Sequence, residues 1–339
     1  MRILITAASA AAVLFTTLAA VAADPVNVYS YRKEELIRPI LNAFTEETGI
    51  EVNLITGNAG ELHQRLKSEG KNTPADVLVT VDAGNLSRAK EDGLLQPIKS
   101  EVLEKYIPEH LRDPEGYWFG LSKRARVFVY SPDRVDPSEL STYFDLADEK
   151  WRNRLLIRSS TNIYNQSLIA AMISEFGEEK TQEWARGLVA NFARRPQGGD
   201  SDQIHAVEAG EGDLALVNTY YYGRMLASDD ADERAAAQKL RVFFPNQDGR
   251  GTHVNVSGAG VTAYAPHKEN AVKLLEFMVG EEAQELFANS NQEYPARQDV
   301  APSKEVASWG TFKEDNLNLS VLGELNKEAV MLADRVGWR

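Results

Sequence analysis

Three consecutive tyrosines stand in the stretch Asn218-Thr219-Tyr220-Tyr221-Tyr222-Gly223-Arg224, where an apolar run ends and a helical pattern begins. On a strand-to-helix turn, adjacent side chains leave the backbone in different directions, so two or three phenols can surround one point. Deprotonated, they are hard oxygen donors of the kind a highly charged cation prefers. The plain alternative is packing, with hydroxyls satisfied locally, which is the usual fate of tyrosine. A second stretch shifts that balance. Arg158-Ser159-Ser160-Thr161-Asn162-Ile163-Tyr164-Asn165-Gln166 also follows an apolar strand and opens a helix, with Ser and Thr available as caps. The exposed N–H groups of such a helix start favour an anion or anionic ligands. Tyr164 falls in its first turn, so two strand-to-helix turns present phenols on one rim.

Other chemistry is poorly supplied. The five histidines, His63, His110, His205, His253 and His267, show no metal-binding spacing, and no G-x-S-x-G nucleophile elbow occurs. With a Cys count of 0, neither thiolate ligands nor disulfides are available. Gly198-Gly199-Asp200 lacks the spacing of a phosphate loop and reads as the cap of a helix carrying Ile204 and Val207. An exported hydrolase would need paired carboxylates at a recognisable spacing, and none is visible.

The elements that must position the tyrosines follow an α/β grammar. Strand signals at 26–29, 50–55 and 76–81 alternate with helices, the first burying Ile37, Ile40, Leu41 and Phe44 on one face and stopping at Gly49. Further strands are expected at 126–130, 155–158 and 213–218. Helices are expected at 163–175 and 181–192, an extended segment at 253–262, and helices again from Asn270. This pattern predicts α/β lobes, each a mostly parallel sheet flanked by helices, with a cleft near strand C-termini.

The first residues indicate export. Arg2 precedes an almost unbroken apolar run, and the small residues Ala20-Val21-Ala22-Ala23 precede Asp24-Pro25, the layout of a cleaved secretory signal. The chain of 339 residues carries a formal charge of −13, which excludes ordinary nucleic-acid binding. Its 43% hydrophobic content suffices for about two domains.

The sequence resembles the periplasmic ferric-ion-binding proteins of bacterial iron(III) ABC transporters, of the type II periplasmic-binding-protein family. The resemblance runs through Val28-Tyr29-Ser30-Tyr31-Arg32, Pro74-Ala75-Asp76-Val77-Leu78, Trp118-Phe119-Gly120-Leu121 and Lys123-Arg124-Ala125-Arg126-Val127. It continues through 160–166, Arg195-Pro196-Gln197-Gly198-Gly199-Asp200, 218–224, Gly251-Thr252-His253 and Glu293-Tyr294-Pro295. It implies a two-lobed periplasmic-binding-protein fold joined by crossing hinge strands. The implied divisions are a signal peptide over 1–23, an N-terminal lobe over 24–122, a C-terminal lobe over 123–250, a return to the first lobe over 251–300, and C-terminal helices over 301–339 packing on the second lobe.

The resemblance further implies Fe(III) held by Tyr164, Tyr220 and Tyr221 in a periplasmic monomer that serves an inner-membrane ABC permease and is not an enzyme. The family's His is replaced here by Lys33, and its carboxylate by Val81. The Tyr31-Arg32 variant therefore implies a small anion, carbonate or bicarbonate, completing the coordination. Arg32 and Arg124 are the candidates for holding it, since a guanidinium fork matches a planar oxyanion. Tyr31, Ser160 and Tyr222 are candidates for lining the cleft. A receptor for a small anion or organic solute without metal is the competing expectation.

Overall fold

The computed structural model describes residues 24–339; the leader expected over 1–23 lies outside them. β1 (Val26–Ser30), β2 (Val52–Thr56) and β3 (Val77–Val81) pair in parallel in the order β2-β1-β3. Parallel pairing follows because a helix between each pair returns the chain to the end it came from. Ile37, Ile40, Leu41 and Phe44 are the buried face of the Glu34–Thr48 helix, which Gly49 ends at φ +71°. A capping box of Asn58 and Glu61 opens the Ala59–Glu69 helix.

β4 (Phe119–Tyr130) is buried along all 12 residues and is longer than the strand expected over 126–130. Lys123, Arg124 and Arg126 break its apolar pattern in sequence, yet they too are buried. The remaining strands are β5 (Leu155–Leu156), β6 (Leu214–Asn218), β7 (Arg241–Phe243), β8 (Val254–Val261) and β9 (Tyr294–Pro295). The path β2-β1-β3-β8-β4-β6-β5 joins two lobes through β4, whose first half pairs with β8 and whose second half pairs with β6. Parallel pairing holds at β1–β2, β1–β3 and β5–β6, whereas every antiparallel ladder is made by β4 or β8. Periodicity alone does not reveal those two strands as the links between lobes.

The C-terminal segment packs over this junction. The Val321–Glu324 helix lies against both the Ala83–Glu91 helix of the first lobe and the Ile163–Phe176 helix of the second. The Asn326–Arg335 helix packs on Ile163–Phe176, and Trp338 is fully buried beside Trp184 and Phe192. The Trp338 indole N–H donates to the Arg158 carbonyl at 3.2 Å, which ties the chain end to the loop before Tyr164. Among the described residues no helix is long and apolar enough to cross a membrane.

Candidate metal centre

Tyr164 and Tyr220 come from two different strand-to-helix turns, and their hydroxyls meet. The Ile163–Phe176 helix starts at Asn162, whose side chain accepts from the Tyr164 N–H at 3.0 Å. Beside it, Asn165 holds the preceding loop by donating to the carbonyls of Arg158 at 2.9 Å and Ser159 at 3.2 Å. The Thr219–Leu226 helix starts where β6 ends, and Thr219 Oγ1 accepts from the Ala125 N–H of β4 at 3.2 Å. The Tyr220 hydroxyl donates to the Tyr164 hydroxyl at 3.0 Å, and the Tyr220 and Tyr221 rings lie 4.3 Å apart. Three phenols therefore converge on one wall of a cleft of about 420 Å³ between the lobes. Tyr31, Arg32, Val81 and Glu293 line the same cleft.

One buried polar network holds both turns. Arg126 donates to Asp200 at 2.6 Å, to Asn218 Oδ1 at 3.2 Å and to Asn165 Oδ1 at 2.7 Å. Asp200, at the start of the Asp200–Glu208 helix, also accepts from the Asn218 N–H at 2.8 Å and from Arg158 at 3.4 Å. The segment carrying Tyr164 and the segment carrying Tyr220 and Tyr221 are thus fixed to the same guanidinium–carboxylate pair. The expected cap at Gly199 is present, with the Asp202 carboxylate accepting from the Gly199 N–H at 2.6 Å.

Burial and mutual proximity oppose ionisation of the phenols. Burial, and then the neighbouring Tyr221 phenol, raises Tyr164 above its ordinary value. Burial, and then Tyr164 and Tyr221, likewise raises Tyr220. Tyr31 is raised by burial and by Tyr221. Guanidinium groups surround the rings: Arg224 lies 4.9 Å from the Tyr220 centroid, and Arg158 and Arg124 lie 5.3 Å and 5.7 Å from the Tyr164 centroid. Burial opposes the Arg158 charge, but Asp200, then Tyr221 and Tyr164, outweigh it and raise that group. Among the described residues no group of three or more His, Cys, Asp and Glu side chains could hold a metal ion.

The two arginines expected to hold an anion are differently engaged. Arg32 is buried in a close ion pair with Glu293 and donates to Ser122 Oγ at 3.2 Å, leaving its Nε without a partner. Glu293 also accepts from Ser122 at 2.8 Å and Ser257 at 3.3 Å. Burial alone would raise the Glu293 carboxyl, but the charges of Arg32 and Arg124 hold it below its ordinary value. Arg124 donates to Ser257 at 3.3 Å and stands 3.9 Å from Asp82, with Nε and Nη2 unpartnered. Glu293 lies 261 residues from Arg32 in the chain, and no local pattern announces the pair. Glu293→Ala is expected to destabilise the protein by roughly 3–5 kcal/mol, because it strands a buried charge. A urea titration of the metal-free protein checks this.

Two of the cleft-lining expectations need correction. The Tyr222 hydroxyl donates away from the cleft, to the carbonyls of Leu240 at 2.8 Å and Ala237 at 3.2 Å, and its ring stacks on Trp309 at 5.6 Å. The reason is helical rotation: two residues beyond Tyr220, about 200° of turn sends Tyr222 to the opposite face. Ser160 likewise turns from the cleft and donates to the Trp338 carbonyl. Tyr222→Phe is expected to cost about 1 kcal/mol of stability and leave ligand binding unchanged. Paired thermal melts and ligand titrations read both quantities. Lys33, at the family's His position, keeps its amine exposed beside Glu35 at 3.7 Å. His253 is buried and pushed down to about 3 by burial and by Arg250, Arg126 and Arg124, so it stays neutral.

Comparison with known proteins places these observations in context. The family model described as bacterial extracellular solute-binding protein matches residues 72–314. Iron uptake protein A1 of Synechocystis sp. is 54% identical over 314 residues, covering 93% of this chain and 87% of the relative. The Fe(3+)-binding periplasmic protein of Serratia marcescens is 30% identical over 285 residues, covering 84% of this chain and 82% of its own. Among solved structures, that of Trichodesmium IdiA (FutA) in complex with iron and citrate superposes with a TM-score of 0.90 at 52% identity. It covers 93% of this chain and 100% of its own.

Proposed function

The chain belongs to the bacterial extracellular solute-binding proteins, and from that premise we propose that it captures ferric iron in its interlobe cleft through the phenolate oxygens of Tyr164, Tyr220 and Tyr221. It delivers the ion from the periplasm to an inner-membrane ABC-type permease, acting as a monomeric binding protein and not as an enzyme. The observation that carries this reading is the convergence of three phenols from two separate turns, with Tyr220 and Tyr164 oxygens 3.0 Å apart. Two oxygens at that separation can share one hard cation. Three phenolates balance the charge of Fe(III) without any His or carboxylate. The relatives named for iron uptake and Fe(3+) binding support the choice of metal.

Three protein oxygens leave an octahedral ion incomplete, so an anion such as carbonate or bicarbonate completes it. Arg124 supplies its main contact through the unpartnered Nε and Nη2, and Arg32 contributes the Nε that Glu293 does not use. The Trichodesmium relative was solved with iron and citrate, so a carboxylate chelate is a competitor for the same slot. The test is a visible spectrum before and after adding ferric citrate, repeated in carbonate-free buffer. A phenolate-to-iron charge-transfer band is expected, weakened when both anions are withheld; a colourless loaded protein would overturn the reading. The same unpartnered guanidinium atoms favour one rival, a receptor for a small anion without metal. Calorimetry separates the two, because full-strength anion binding to the metal-free protein would favour the rival.

A further inference from the structure

Beside the site lies a buried carboxylate, that of Asp82, which lines no part of the cleft. Asp82 follows β3 and caps the Ala83–Glu91 helix, its Oδ1 accepting from the Gly84 N–H at 3.0 Å. Its relative exposure is 0% and its φ is +77°, a backbone conformation that strains an L side chain and costs glycine nothing. Capping does not require that strain, since Ser, Asn or Thr cap helices from ordinary extended backbone. The carboxylate must do something more.

Its other contacts point to the metal site. Oδ1 also accepts from Ser167 Oγ at 2.6 Å, and Ser167 lies three residues beyond Tyr164 on the Ile163–Phe176 helix. Oδ2 has no hydrogen-bond partner and lies 3.9 Å from Arg124 Nη2, whose guanidinium stands 5.7 Å from the Tyr164 ring centroid. The Asp82 backbone belongs to the first lobe, its N–H donating to the Val256 carbonyl of β8 at 2.8 Å. Ser167 and Tyr164 belong to the second. A single carboxylate thus touches, across the lobe boundary, both the helix that presents Tyr164 and the cation that covers it.

The Ala83–Glu91 helix makes close approaches to its neighbours at this point. A Cβ on Gly84 would stand 3.3 Å from Ile163 Cδ1 and 3.6 Å from Ser167 Oγ. The Val321–Glu324 helix packs against both partners, and a Cβ on Gly323 would come within 2.2 Å of Ser87 Cβ. Gly84 thus leaves room for Ile163 and Ser167 beside Asp82.

We propose that Asp82 is a positioning residue that registers the first lobe against the Tyr164 helix, setting the Tyr164 oxygen and the Arg124 guanidinium relative to the bound ion. This rests on the ferric-iron reading. Asp82→Asn keeps the shape and the capping acceptor while removing the charge that faces Arg124. Ser167→Ala leaves Asp82 in place and removes only the contact between lobes. Wild type and both variants are titrated with ferric citrate, following the visible band and the affinity against a competing chelator. Both variants are expected to bind about 10–100-fold more weakly, the usual cost of losing an outer partner of a metal ligand. Their band maximum is also expected to shift, because the Tyr164 oxygen sits differently on the ion. Loss of stability alone would not move the band. If wild type itself shows no band, the iron reading falls and takes this inference with it. If wild type shows the band and both variants keep its position, Asp82 is only a helix cap and the proposal is overturned; should Asp82→Asn fail to fold, the band of Ser167→Ala decides alone.

Discussion

Tyr220→Phe combined with Tyr221→Phe is expected to abolish the visible band and to weaken ferric-iron binding beyond the roughly 10–100-fold that an outer-shell substitution costs. The substitution removes two of three donors while keeping the rings. Those rings lie 4.3 Å apart and beneath Arg224, so the packing that orients the helix start survives. Only oxygen is lost. With one phenolate remaining, the protein no longer balances the charge of the ion, and carbonate with water must supply the other positions in competition with free chelators. A melting curve close to wild type is expected, since the Tyr220 hydroxyl bonds only to Tyr164. Dialysis competition against citrate measures the affinity. Binding at wild-type strength with an unchanged spectrum would mean that the ion sits elsewhere. Tyr164→Phe alone is the milder relative of this experiment.

The phenols were legible in the sequence because their positions obey a local rule: each follows an apolar strand and opens a helix. β6 ends at Asn218 and the Thr219–Leu226 helix begins at once, as the run into Tyr220 required. What surrounds them was less legible, because it is assembled from distant segments. Arg32 meets Glu293, Asp82 meets Ser167, and Arg126 joins Asp200, Asn165 and Asn218, contacts spanning 39 to 261 residues. No periodicity encodes such pairings; they exist only once β4 and β8 have brought the lobes together. Tyr222 obeys helical rotation instead. Read as a turn, the three tyrosines fan out in any direction; read as helix, the third must face away. Arg158 and Arg224 also neighbour the phenols; Arg224 follows Tyr220 by one helical turn, a spacing that brings its guanidinium over the ring.

The steepest response expected of this protein is to pH. Tyr164 and Tyr220 are both raised above the ordinary tyrosine value near ~10 by burial and by neighbouring phenols, so both carry protons in the metal-free cleft at neutral pH. Iron must expel those two protons to bind. Each proton released makes the apparent affinity fall about tenfold per unit of acidification, so these two groups together give about a hundredfold per pH unit. The sign reverses for the metal-free fold. A group whose folded value is raised contributes stability that is complete below its unfolded value and is lost as pH rises through the folded one. The empty protein should therefore weaken above about pH 10, and the iron-loaded protein less steeply, because its Tyr164 and Tyr220 are already held as phenolates while other buried tyrosines such as Tyr29 and Tyr222 titrate in both forms. Chelator competition between pH 8 and pH 6, with proton release followed in weak buffer, measures the first effect; alkaline melts with and without iron measure the second. Affinity that stayed flat between pH 8 and pH 6 would exclude coordination by the Tyr164 and Tyr220 phenolates, because both groups must surrender protons to bind the ion.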